Sequence, residues 1–527
     1  MAIEVEESLV EGDAGERAVL SSLNNHRRFA VFSFSEDPFT LGCLGEVVCR
    51  LLHNVGTGIV FHDWARGTRY KELSCLSQNS ARRFVRNGLS SLGVVGGSRA
   101  LTRAISQRFG SDFTVDTCTA VPVSARHERL LDELAQTPEV YAAKRPLLDF
   151  EFDQQPVGWA VSGSLSHLLS TSVGNTIIDE AQLRSMMSSF VDVLDAADSV
   201  LRSSKPDCVV LFNGRLLHDW AVRIAAKRLA IPVVAVEAGS SLNRFSVYQD
   251  SAHEIGQSVA ERLEEAWRFA PSTEIAERVA SQWFEARRPS HNSTNPYVHK
   301  QRLGSVPARD GRRRVTFFST SSDEFEAAGP QWSSRFGEHD EIILRLARRA
   351  KEDPNIEFIV RLHPNMNSKN LVERRLLSAL KAALATEATV IDPDSPVDSY
   401  ALAESSDLVL SMHSTLGIEA PYWGIPSATF SPTLFDSLGA TTAVSDFDSS
   451  LYIDLTIAER AARKARALPY GHYCATFGFD FSYYRHSGGN PTFLGAPLRD
   501  LGRFASVPDK FGATRRLKRR RRDLGFE

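Results

Sequence analysis

The sequence predicts an α/β protein of two facing Rossmann-like domains, each with a parallel sheet wound by helices, and a cleft between them. Three observations lead there. At 527 residues the chain exceeds the roughly 250–300 residues at which a single core stops growing. Short apolar runs alternate with amphipathic stretches in both halves, which is the signature of strand–helix–strand units and not of hairpins. Between the halves, 289–313 is rich in Pro, Ser, Asn and Arg with little periodicity, the composition of a linker.

Taken in order, the first 28 residues form an acidic tail carrying Glu4, Glu6, Glu7, Glu11, Asp13 and Glu16. The N-terminal domain is expected over 29–288. Phe29 to Ser35 reads as an aromatic-rich strand, Glu36-Asp37-Pro38 as a turn, Leu41 to Leu52 as a helix and Gly58 to His62 as the next strand. The same unit recurs at Asp207 to Asn213, with a helix over Leu216 to Leu229 and a strand at Ile231 to Val236. These strands are continuous apolar runs, as expected of a sheet buried on both faces. Ser80 to Phe109 reads as basic and helical, Gln182 to Ser203 as a long amphipathic helix, and Ser258 to Arg288 as helix-rich.

After the linker, a second domain is expected over 314–480. Strands are expected at Arg314 to Phe318, Ile356 to Leu362, Thr389 to Ile391, Leu408 to Met412 and Ser427 to Phe430. Helices are expected at Glu341 to Glu352, Leu371 to Ala385, Ser399 to Glu404 and from Leu416 onward. An extension, 481–527, ends in a basic run from Arg515 to Arg522. That run reads either as a solvated tail or as an adhesive for anionic lipid at the inner membrane face.

Composition narrows the function. The 61 basic and 64 acidic side chains leave a net charge of −3, which argues against a nucleic-acid partner. The six cysteines, Cys43, Cys49, Cys75, Cys118, Cys208 and Cys474, include no Cys-x-x-Cys pair and fit a reducing compartment. The acidic start is unlike a secretory signal and no run of about 18 apolar residues occurs, so a cytoplasmic protein is expected. Neither Gly-x-Gly-x-x-Gly after a strand nor a P-loop motif is present.

In wound sheets ligands bind beyond the carboxyl ends of the strands. Ser411 to Ala420 ends a strand and starts a helix, so His413, Ser414, Thr415 and the backbone at Gly417 converge where an anion would sit. The same hydroxyls would serve as plain helix caps. Arg361, His363 and Pro364 add a cation and an imidazole at the next strand end, and Ser319, Ser321 and Ser322 form a hydroxyl-dense third loop. In the first half, Asn213, Gly214 and Arg215 follow one strand and Glu237 the next, a set suited to sugar hydroxyls or to a local Arg215–Glu237 ion pair. Glu36, Asp37, His62 and Asp63 stand at the earliest strand ends. Together with Glu237, the carboxylates Glu36 and Asp37 are the candidate general bases.

Several stretches carry a resemblance: Phe212 to Arg215, Glu237 to Ser240, Phe317 to Phe325, Arg361 to Asn365, Asp398 to Ser427, Tyr470 to Tyr473 and, upstream, Leu147 to Leu165. Together they resemble bacterial capsular and surface-polysaccharide biosynthesis proteins, a family similar to glycosyltransferases of the GT-B fold. The resemblance implies that His363, Pro364, Ser414 and Thr415 hold the phosphate of a nucleotide-activated sugar (CMP-, UDP- or GDP-linked) and that Glu419 binds ribose or sugar hydroxyls. Residues 411 and 427, eight before and eight after Glu419, are both serine, so the paired glutamates of many retaining GT-B enzymes are missing and inversion is expected.

The resulting expectation is a metal-independent transfer of sugar from that nucleotide donor to a saccharide or lipid-linked saccharide acceptor, with no cofactor. The strand ends are read as carrying no Asp-x-Asp pair that could hold a metal. A sugar-nucleotide epimerase or hydrolase on the same fold, or a non-catalytic partner in polysaccharide assembly, are the competing expectations.

Overall fold

The computed structural model describes residues 14–35, 37–54, 56–65, 97–118, 120–141, 144–169, 180–252, 257–290, 293–295, 297–320, 332–368, 371–486 and 491–498. By its internal contacts the described chain divides into two units, one of 16–169, 180–252 and 478–498, the other of 257–477. Each is an α/β unit around its own sheet.

In the first unit the strands are β1 (Arg28–Ser33), β2 (Gly58–Asp63), β3 (Phe113–Thr117), β4 (Cys208–Phe212), β5 (Val233–Ala238) and β6 (Arg244–Gln249). The sheet runs β3-β2-β1-β4-β5-β6. The pairs from β3 to β5 are parallel, and β6 returns antiparallel on β5. Alternation along β1 shows why its sequence is apolar throughout. Ala30 and Phe32 enter one core with Val209 and Leu211, while Phe29 and Val31 enter the other with Val210 and Val236. Each Phe, Val or Leu among them, fully withdrawn from water, contributes about 1.5–3 kcal/mol.

The second unit carries β7 (Arg313–Phe318), β8 (Ile356–Arg361), β9 (Thr389–Ile391), β10 (Leu408–Ser411), β11 (Ser427–Thr429) and β12 (Thr442–Ala443). Its order is β9-β8-β7-β10-β11-β12, parallel throughout. The chain winds outward from β7 to β9, then restarts at β10 on the other side of β7. Order therefore reverses between β7 and β10, and a crevice opens above their carboxyl ends.

The expected boundaries need three corrections. The segment 289–313, read as an interdomain linker, lies inside the second unit, as do the helices Gln257–Arg268 and Thr273–Ala286. Its polar residues are consumed locally: the Gly304 amide donates to Asp398 Oδ2 (2.9 Å), the Ser399 amide to Gln301 Oε1 (2.8 Å) and the Asp398 amide to the Ser305 carbonyl (2.8 Å).

The acidic tail is the second correction. A helix spans Ala14–Leu23, and the Glu16 carboxylate is fully buried, accepting from the Gly478 amide (2.8 Å) and from Ser246 Oγ. Third, residues from Gly478 onward return to the first unit, where β13 (Phe479–Asp480) pairs antiparallel with β6.

Among the described residues no helix is long and apolar enough to cross a membrane. The Arg515–Arg522 run lies outside the described residues.

Candidate functional site

A cavity of about 220 Å3 opens in the second unit where the strand order reverses. Ser319 and Thr320 line it from the end of β7, Arg361 to Pro364 from the end of β8, and His413 to Leu416 from the end of β10. Register explains the convergence: Phe318 pairs with Arg361 on one side and with Ser411 on the other, so the three strands stop at one level.

Arg361 is the dominant electrostatic feature. It is only 1% exposed; Nε donates to Ser399 Oγ (3.3 Å), Nη1 to the Asp392 carbonyl, and Nη2 has no partner among the described residues. Burial pushes its pKa down to about 10, against the pull of Asp392 and Asp394, and it stays charged at neutral pH. An ionised group buried with an unused N–H lacks much of the compensation that burial demands.

The imidazoles are held by backbone geometry. His413 takes a left-handed φ of 61°, which turns the chain sharply off β10, and its Nδ1 meets Ser431 Oγ (3.0 Å). Burial, with His339 adding, pushes it down to about 4, so it is neutral at pH 7. His363 donates its amide to Ser319 Oγ (2.8 Å), and Tyr297 meets its ring edge-on at 4.8 Å.

The hydroxyl loop departs from its expected role as a helix N-terminus. The helix Leu416–Tyr422 has only seven residues. The amides of Gly417, Ile418 and Glu419 are already spent on the carbonyls of Ser414 and Thr415, at 2.9–3.0 Å. These three amides are therefore not free to meet a ligand, and the polar groups that line the cavity here are side chains, Arg361, Ser414 and Thr415 among them.

Gly417 and Glu419 do not line the cavity. A Cβ on Gly417 would stand 2.6 Å from Ser411 Oγ, so a larger residue would have to displace that hydroxyl where this helix packs closely on the sheet. Glu419 is fully buried and its Oε1 accepts from Arg287 Nε (3.0 Å). Ser321 and Ser322 lie outside the described residues.

The residues that sequence reasoning missed come mostly from the supposed linker and its approach. Arg287, Asn295, Tyr297, Val298 and Gln301 line the cavity, joined by Ser399 and Tyr400. The signal was available in the Asn and Tyr that punctuate 295–301, residues a bare tether does not need. One Asp-x-Asp pair, Asp392 and Asp394, also stands directly after β9, against the reading that the strand ends carry none. Asp392 is paired with Lys381 at 2.5 Å.

In the first unit the predicted bases are differently occupied. Glu36 lies outside the described residues. Asp37 caps the helix Pro38–Leu52, accepting from the Thr40 amide at 2.9 Å, because Pro38 occupies the first turn and leaves the next donors to a side chain. His62 Nδ1 meets Asp116 (2.8 Å), and Ser98 donates to Asp63 (2.6 Å).

Glu237 accepts from the Asn213 amide group, and Asn213 itself is left-handed (φ 67°), with Gly214 following at φ 80°. Gly214 has no room for a side chain, since a Cβ would lie 2.9 Å from Ser251 Cβ. The Arg215 amide reaches back to Asn213 Oδ1 (3.3 Å).

Two further residues sit in the helix Leu217–Arg228 that follows. His218 Nε2 meets Ser189 Oγ (2.9 Å), and burial pushes it down to about 3. Burial and the nearby Glu237 raise Asp219 well above the usual carboxyl range. A His-Asp pair in the first turn after a strand-end loop was the overlooked sequence signal.

No protein-family profile matches the chain. A UDP-N-acetylglucosamine 2-epimerase of Yersinia pestis is 24% identical over 240 residues, 44% of this chain and 61% of that protein. The match therefore spans about three fifths of that relative's length.

Among solved structures, a β-Kdo 2,4-transferase from Thermosulfurimonas dismutans KpsC overlays with a TM-score of 0.33 and 17% identity, covering 55% of this chain and 84% of that one. The UDP-GlcNAc 2-epimerase of Neisseria meningitidis, bound to UDP-GlcNAc, gives 0.22 and 13%, covering 83% and 98%. The spinosyn rhamnosyltransferase SpnG gives 0.24 and 14%, covering 86% and 97%. At such scores the overlays add nothing to the sheet orders described above.

Proposed function

We propose that this protein is a metal-independent, inverting glycosyltransferase. It would move a sugar from a nucleotide-activated donor to a saccharide acceptor in surface-polysaccharide synthesis. The observation that carries the reading is Arg361, a buried guanidinium with an N–H that meets no acceptor among the described residues, lining a cavity at the reversal point of a parallel sheet.

In the transfer, the acceptor oxygen forms a bond to the anomeric carbon. The bond from that carbon to the donor phosphate breaks, and the phosphate leaves with the electron pair. Charge growing on that phosphate is met by Arg361 and by the Ser414 and Thr415 hydroxyls, fixed before the reaction begins. Neutral His413 adds no charge to the site, and the His363 ring, whose Nδ1 accepts from the Asn365 amide, lies on the same wall. The acceptor is assigned to the rim of the first sheet, with Asn213 and Arg215 as sugar-hydroxyl partners. The acceptor hydroxyl's proton goes to a carboxylate, and Glu237, held by Asn213 and the Ala238 amide, is the candidate base.

Nucleotide binding tests this reading. UDP, GDP or CMP at millimolar concentration should raise the melting temperature, by mass action on the folded state. No shift with any of the three would remove it.

A second reading, a sugar-nucleotide epimerase or hydrolase, is favoured by the 240-residue match to the Yersinia pestis epimerase. It predicts turnover of a nucleotide sugar with no acceptor present. Release of nucleotide only when acceptor is added would exclude it.

A further inference from the structure

Arg287 sits at the C-cap of the helix Thr273–Ala286, and three kinds of contact fix its guanidinium. Its Nε donates to Glu419 Oε1 (3.0 Å), its Nη2 to Thr415 Oγ1 (3.2 Å), and its plane lies 4.6 Å from the Trp283 ring centre. Tyr400 stands against the same carboxylate, and Asn295 Nδ2 donates to the Tyr400 hydroxyl at 3.1 Å. Arg287, Thr415, Asn295 and Tyr400 all line the cavity, whereas Glu419 is wholly buried behind them.

Taking the cavity as the nucleotide-phosphate site, we propose that Arg287 is a positioning residue that orients the Thr415 hydroxyl as a donor into the cavity, and that Glu419 is a strut for Arg287 and not a contact to the ligand.

A threonine hydroxyl has one proton to give and can accept through its lone pairs. Guanidinium is donor-only, so the Arg287–Thr415 bond uses a Thr415 lone pair and leaves the proton for another acceptor. No described group takes it, and Thr415 lines the cavity, where a phosphate oxygen would be the acceptor. Accepting from a cation also polarises the hydroxyl and makes it a better donor. Glu419 serves this arrangement by neutralising Arg287 and fixing the plane of its fork. A lysine would supply the charge without the planar, two-pronged geometry that reaches both Glu419 and Thr415.

The test is a double-mutant cycle read by calorimetric titration with UDP, GDP and CMP. Circular dichroism and melting temperature check that each variant folds. Arg287→Lys and Thr415→Val should each weaken binding of the preferred nucleotide about tenfold. The double variant should be no weaker than the poorer single one, since both remove the same donor.

Thr415→Ser keeps the hydroxyl and should bind within about threefold of wild type. That guards against a merely structural effect, as does Thr415→Val, which changes no charge. If Arg287→Lys binds as tightly as wild type, or if the double variant shows the full product of two independent losses, the inference is overturned while the nucleotide reading stands. If wild type binds none of the three nucleotides, the nucleotide reading fails first and the inference falls with it.

Discussion

An arginine 1% exposed with an idle N–H is destabilising in the empty protein, and that cost is the clearest sign of its purpose. Replacing Arg361 with methionine should remove a poorly compensated charge at similar volume. The expected outcome is a melting temperature equal to or above wild type without ligand, together with loss of the nucleotide-induced shift. A variant that melts several degrees lower and keeps the shift would show that Arg361 is there for stability alone.

Glu419 has the opposite profile. Its partner Arg287 would be left buried and uncompensated, so Glu419→Gln should lose about 3 kcal/mol, measured as a lower urea midpoint at unchanged slope. A midpoint equal to wild type would contradict the strut.

The sequence alone named Arg361, His363, Ser414 and Thr415, because position at a strand end can be inferred from an apolar run that stops. It could not show that Glu419 faces inward, since helix phase over seven residues is fixed by the pairing with Arg287, 132 residues earlier.

At the scale of elements, the inner strands were legible because both of their faces are covered, which forces an unbroken apolar run. β3 and β6 were not. β3 exposes four of its five residues and carries Thr114, Asp116 and Thr117, so it has no apolar run to see. β6 has an antiparallel partner on either side and reads as a mixed segment, Arg244 to Gln249. The 289–313 stretch was misplaced for a different reason. Low periodicity reports irregular backbone, and irregular backbone is as common in the wall of a cavity as in a tether.

Close approach between elements gives its own prediction. Gly158, in the helix Val157–Leu169, sits where a Cβ would lie 1.7 Å from the Leu147 carbonyl oxygen. Backbone cannot yield that far, so Gly158→Ala should cost at least the roughly 1–3 kcal/mol of ordinary overpacking. The check is the urea midpoint, or soluble yield if the variant aggregates. A midpoint within experimental error of wild type would mean that the helix can shift away. Gly56→Ala is the control for yield and handling, because nothing lies within 4 Å of its Cβ position and only its φ of 80° opposes the change.

For the whole molecule, the distribution of buried titratable groups says more than the net charge of −3. Burial depresses four histidines in the folded chain: His62, despite Asp116 pulling the other way, His218 to about 3, and His413 and His472 each to about 4. The ordinary value near 6.5 applies when the chain is unfolded. Between pH 6.5 and about 4 the unfolded chain therefore binds protons that the folded chain refuses, so stability falls as the pH is lowered through that window.

Both units share the effect, since His62 and His218 lie in the first and His413 and His472 in the second. Each histidine held at about 4 contributes on the order of 3 kcal/mol across the full window. Asp219 works in the opposite sense. Its raised folded pKa stabilises at low pH and is a liability at neutral pH, where the unfolded chain would ionise it freely.

Calorimetric scans at pH 7.5, 6.0 and 5.0 should accordingly show melting temperatures falling by several degrees or more. His472→Phe should flatten that fall, and Asp219→Asn should raise the melting temperature at pH 7.5. A wild-type melting temperature constant from pH 7.5 to 5.0 would mean that these imidazoles find proton acceptors in the folded chain. The assignment of His413 as a neutral ring beside the proposed phosphate site would then lose its basis.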